Sequence, residues 1–80
     1  MSSQIIKDPT FGEKAVGLNF NPSGSDEVGQ VKKKFADIID KLDNLREGTT
    51  SYDIKRMCSI AITEAQTAQM WAVKAITWQH

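Results

Sequence analysis

The run Val28-Gly29-Gln30-Val31-Lys32-Lys33-Lys34-Phe35-Ala36-Asp37-Ile38-Ile39-Asp40-Lys41-Leu42-Asp43-Asn44-Leu45 decides the fold. Its apolar residues fall at Val28, Val31, Phe35, Ile38, Leu42 and Leu45, alternating three and four apart over about five helical turns, and Ile39 widens the stripe. Lys33, Lys34, Asp37, Lys41 and Asp43 occupy the other side, with Asp37 spaced to pair with Lys41. This is the pattern of an amphipathic helix. Its start is marked by Asn21-Pro22-Ser23-Gly24-Ser25, where Ser25 can cap the helix ahead of Asp26 and Glu27. Glu47-Gly48 suits its end, so the expected span is 26–47.

A second helix is expected over 51–78. Thr49, Thr50 and Ser51 offer caps, with Asp53 three residues after Thr50 as an approximate capping box. So short a connector turns the chain back on itself as an antiparallel hairpin. From Met57 to Trp78 the only charged side chains are Glu64 and Lys74, and apolar residues spread around the whole cylinder. One neighbouring helix covers one stripe, so the remaining apolar surface calls for another copy of the chain. Alanines at 61, 65, 68, 72 and 75 would let helices approach closely. Residues 1–24, with Pro9, Gly12, Gly17, Pro22 and Gly24, show no helical period and read as an irregular arm. The expected fold is therefore all-α: an antiparallel two-helix hairpin (25–80) behind an irregular arm, assembled into a homo-oligomeric bundle.

Eighty residues make one small domain, which alone buries only about 60–65% of its unfolded surface. Ten Lys and Arg balance ten Asp and Glu, so no net field draws the chain to polymeric nucleic acid or to a membrane surface. A lone Cys58 cannot form an internal disulfide, and no His or Cys pattern suggests a metal site or other cofactor. No signal-like stretch opens the chain, and Thr63, Glu64, Gln66, Thr67 and Gln69 interrupt its most apolar run, so the expected location is the cytosol.

Enzymatic chemistry finds little support. Cys58 lies mid-helix with no partner histidine but His80, and Asp37, Asp40 and Asp43 lie along the charged side of the first helix. Asn21-Pro22-Ser23-Gly24 lacks the Gly-Lys-Ser/Thr ending of a nucleotide-hydrolase phosphate loop. Lys32-Lys33-Lys34 is the densest positive cluster; most such triplets are solvated, yet its place near a helix start favours an anion. Trp71 and Trp78, one heptad apart, share a face that reads as core or interface. Thr63, Glu64, Thr67 and Lys74 are the few polar groups of an apolar helix, serving as ties between subunits or as a ligand shell.

The run Ser59-Ile60-Ala61-Ile62-Thr63-Glu64-Ala65-Gln66-Thr67-Ala68-Gln69-Met70-Trp71-Ala72-Val73-Lys74-Ala75 resembles the second helix of the bacteriophage sponge proteins that defeat CBASS and Thoeris immunity. Asn21-Pro22-Ser23-Gly24, then Val31-Lys32 and Phe35-Ala36-Asp37-Ile38-Ile39-Asp40, is similar to the same group, so the resemblance covers roughly 19–78. It implies a homo-hexamer of helical hairpins that captures cyclic di- and trinucleotides, or cyclic ADP-ribose isomers, without cleaving them, in the host cytosol. Carried over residue by residue, it makes Phe20 a base-stacking ring with Asn21 beside it, and Lys32 or Lys33 the phosphate contact. Thr63, Thr67 and Lys74 would line a separate pocket on the second helix. Ile62 departs from the arginine of some members, which removes a basic group from that pocket. The alternative expectation is a small oligomeric hairpin that binds no small molecule and acts only through protein contacts.

Overall fold

The computed structural model describes residues 8–18 and 26–79. Three helices make up the architecture: α1 (Phe11–Val16), α2 (Asp26–Gly48) and α3 (Tyr52–Ile76). The connector Thr49-Thr50-Ser51 sends α3 back along α2. Contacts near the turn (Arg46 with Ser59) and far from it (a pocket shared by Lys32 and Gln69) run in opposite chain directions, as an antiparallel hairpin requires. Ser51, rather than Thr50, caps α3: its hydroxyl accepts from the Ile54 amide at 3.2 Å, and Ile54 in the third helical position rules out a capping box. Lys55 closes the other side of the turn by donating to the Arg46 carbonyl at 2.9 Å.

The reading of 1–24 as an irregular arm is corrected by α1. Thr10-Phe11-Gly12-Glu13 forms a complete capping box: the Thr10 hydroxyl accepts from the Glu13 amide at 3.1 Å, and the Thr10 amide donates to Glu13 Oε1 at 2.9 Å. Gly17 ends the helix in the left-handed region at φ 62°, where a side chain would be strained, and its amide donates to the Lys14 carbonyl. Six residues are too few to show a period, yet they carry both termination signals.

Packing of α1 across α2 depends on Gly12. A Cβ there would overlap the carbonyl of Ala36, so only glycine permits this approach. The Gly12 amide, one of the unpaired donors of the α1 N-terminus, donates to Asp40 Oδ1 at 2.7 Å. Asp40 is thus engaged with α1 and is not part of a purely solvated face. Arg46 ties the helices together further along: it pairs with Asp43 at 2.7 Å, donates to Ser59 Oγ on α3 at 3.0 Å, and lies 5.3 Å from the Phe11 ring centre on α1.

The core is Val16, Ala36, Ile39 and Ile62, with Ala15, Leu18, Phe35, Leu42 and Ala65 packed around it. On α2 the buried line runs Val28, Lys32, Ala36, Ile39, which is rotated from the expected stripe. Ile38 and Leu45 stay 52% and 53% exposed. Two neighbours explain the rotation, because α1 and α3 both pack on α2 and the buried face is the one they share. The expected Asp37–Lys41 pair is replaced by Lys33–Asp37 at 3.1 Å, which also satisfies the four-residue spacing. That hydrogen bond to the Asp37 carboxylate raises the Lys33 pKa above its ordinary value.

Candidate functional site

A cavity of about 430 Å³ opens where the C-terminal end of α1 meets α2 and α3. Lys14, Ala15, Val16 and Gly17 contribute one wall, Lys32 a second, and Gln66, Gln69, Met70 and Val73 a third. Its volume lies within the range of small-molecule sites, about 300–1,000 Å³.

Each wall follows from local sequence. Gly17 turns the chain at the end of α1 and leaves its carbonyl pointing at Lys32, whose ammonium donates to it at 3.0 Å. Lys32 is only 4% exposed: its four-carbon stem fills a slot in the buried line of α2 while the charge reaches the cavity wall. Lysine is rarely buried so far unless polar partners meet its charge, and the Gly17 carbonyl is one of them. On α3, Gln66 and Gln69 lie three residues apart on the side that faces α1 and α2; Gln66 donates to the Ala15 carbonyl at 3.3 Å, and Gln69 is buried. Met70 and Val73 supply the apolar surface between them. The arrangement can hold an anion against Lys32 and Lys14, offer amide groups to hydrogen-bonding edges, and cover an apolar ring.

The residues expected from sequence do not gather at one place. Phe20 and Asn21 lie outside the described residues. Lys32 is in the cavity wall, whereas its neighbour Lys33 points to the exposed side of α2, bonds to Asp37, and borders a separate shallow groove with Asp26, Gln30 and Lys34. Lys32, which is not part of the apolar stripe expected on α2, therefore lies on the buried side of that helix. Thr63 and Thr67 are exposed, each hydroxyl donating to the carbonyl four residues earlier, Ser59 and Thr63, at 3.2 Å. Thr63 borders a shallow surface with Arg56, Ser59, Ile60 and Glu64 that is distinct from the cavity. Lys74 stands between two rings, its ammonium 5.2 Å from the Trp71 centre and 5.6 Å from the Trp78 centre. Ile62 is 4% exposed and belongs to the core, so its difference from arginine reflects packing in this chain. Lys14, Gln66, Gln69 and Met70 were missed by sequence reasoning. The two glutamines on one side of an otherwise apolar helix were the available signal.

The fold and cavity together define a helical-hairpin domain, closed at one end by a short docked helix. Comparison with family models places it further: the Acb2/Tad1 hairpin domain matches residues 13–77, which covers most of the chain. The protein belongs to that family, the anti-CBASS and anti-Thoeris sponges, a binding family known for capturing cyclic nucleotides. The match begins inside α1, so the docked helix is partly within the family's conserved unit and is not an appendage to it. No curated protein and no solved structure matches the chain.

Proposed function

We propose that this protein sequesters cyclic oligonucleotide or cyclic ADP-ribose-type messengers without cleaving them, as a homo-hexameric anti-immune sponge of phage origin acting in the host cytosol. The observation that carries the reading is the buried Lys32 at the wall of the α1–α2–α3 cavity. A messenger phosphate would accept a charge-assisted hydrogen bond from this ammonium, and Lys14 stands on the same cavity. Gln66 and Gln69 suit the edges of a base, and Met70 and Val73 suit its face. Phe20 and Asn21 follow Gly17 by three and four residues in sequence, and they are proposed to complete the stacking surface. Thr63, Thr67 and Lys74 are proposed to belong to a second site or to subunit contacts. Capture alone depletes a free messenger by mass action, so tight binding and abundance suffice.

Calorimetric titration against cyclic dinucleotides, cyclic trinucleotides and cyclic ADP-ribose isomers tests this, with intact ligand recovered after denaturation. Lys32→Met keeps the aliphatic stem and removes the charge; it should weaken binding about ten-fold to a hundred-fold, since a charged hydrogen bond contributes about 1.5–3 kcal/mol. Lys33→Ala, on the other side of α2, should leave affinity within about two-fold. Equal losses from both, or none from either, would remove the cavity from consideration. A parent protein that binds none of the panel would favour the ligand-free interaction protein instead.

A further inference from the structure

Gln69 is an amide buried without a protein partner. It is 5% exposed, and among the described residues its side chain makes no hydrogen bond. No fully enclosed side-chain nitrogen or oxygen lacks a partner among those residues, so both ends of this amide keep contact with solvent, and the opening beside them is the cavity of α1, α2 and α3. Burying an amide in this way is costly unless something bonds to it.

Gln66, about one turn earlier on the same side of α3 and half-buried, is already committed at one end. Its Nε2 donates to the Ala15 carbonyl at 3.3 Å. A carbonyl only accepts, and turning the amide over would set oxygen against oxygen, so the nitrogen is held on α1 and the oxygen is the end left over. Among the described residues that oxygen accepts nothing. Residues three apart on a helix stand about 5–6 Å from each other at Cβ, so the two amides present their polar ends side by side. The order along the wall is a donor and an acceptor from Gln69, then an acceptor from Gln66.

The complement of that order is an acceptor followed by two N–H donors. Guanine carries it on one edge, as O6, N1–H and the 2-amino group. Adenine meets it with N7 and the two hydrogens of its 6-amino group. Hypoxanthine differs from guanine only in lacking the 2-amino group, and it leaves the Gln66 oxygen facing a carbon. An acceptor covered by a ligand that offers it no donor is the circumstance in which a site discriminates strongly. Lys14 and Lys32 on the same cavity give phosphates a place of their own, which keeps the amides for the base.

We propose that Gln66 and Gln69 make the cavity selective for a base that bears an exocyclic amine, with Gln66 reading the amine and Gln69 the acceptor and N–H beside it. The assignment rests on the sponge reading of the cavity and adds to it which bases are kept and which side chains choose them.

Cyclic dinucleotides of guanosine, adenosine and inosine, titrated calorimetrically, test it. The guanosine or the adenosine compound, whichever binds tighter, should exceed the inosine compound in affinity by about ten-fold or more. Gln66→Met should bring that ratio to within about three-fold, whereas loss of a mere tether between α3 and α1 would weaken all three compounds by one factor and keep the ratio. Gln69→Met leaves the Ala15 contact in place and should weaken all three while the ratio stays; it decides should Gln66→Met bind too weakly to measure. A parent that holds the inosine compound as tightly as the others, a ratio that survives Gln66→Met, or one that collapses in Gln69→Met would each overturn the assignment. With the first of these results, a loss across all three compounds in Lys32→Met would leave the sponge reading standing. No binding of any of the three removes the assignment, and no binding across the wider panel removes both.

Discussion

The six residues of α1 and the last third of α3 make opposite use of their composition. α1 contains two large apolar side chains, Phe11 and Val16, yet it is fixed in place by a capping box, a left-handed glycine, a close backbone approach at Gly12 and hydrogen bonds to Asp40 and Gln66. The end of α3 carries Met70 and Trp71, Trp78 follows two residues beyond it, and all three remain exposed. Hydrophobicity alone therefore does not decide what this chain buries. Geometry gives the inner groove to the segment that can come nearest and satisfy its polar groups, and the large apolar side chains at the end of the hairpin stay on the outside.

The largest effect that separates the two regions should come from Gly12. Gly12→Ala forces a methyl into the Ala36 carbonyl, and overpacking of this kind costs about 1–3 kcal/mol. Hydrogen exchange should show α1 amides losing protection while α2 and α3 keep theirs; a variant with α1 as protected as in the parent would mean that close approach does not hold it.

A smaller loss is expected at Thr10. Thr10→Ala removes the hydroxyl half of the capping box, which is worth about 1 kcal/mol, and the loss should appear as a lower midpoint in urea unfolding.

The smallest belongs to the exposed side of α3. Thr67→Ala deletes a hydroxyl that bonds only within its own helix, and stability should stay within about 0.5 kcal/mol. A larger drop that depends on protein concentration would locate Thr67 in a contact between copies of the chain.

Both long helices were legible in the sequence because each shows a sustained period, and their ends were marked by Asp26, Gly48 and Ser51. The buried face of α2 was less so. Scoring lysine as polar moved the expected stripe away from Lys32, whose stem packs like an aliphatic residue. The short α1 was missed for want of a period, although Thr10-Phe11-Gly12-Glu13 spells out its start and Gly17 its end. Missing α1 also hid the cavity, since α1 is one of its three walls and Lys14 and Gly17 stand on it. The split within the lysine triplet, with Lys32 inside and Lys33 outside, could not be read without knowing which neighbours α2 has.

A helix of six residues has no stability of its own in water, where isolated helices shorter than about 12–15 residues are marginal. By that argument α1 needs its docking on α2 and α3 to stay helical, and α1 together with Gly17 supplies one wall of the cavity. Folding of α1 and formation of the cavity are then a single equilibrium. Any molecule held against Lys14 and Lys32 shifts that equilibrium toward the docked state by RT ln(1 + [L]/Kd), so occupancy of the cavity and order in the first helix are thermodynamically linked, and each reports on the other.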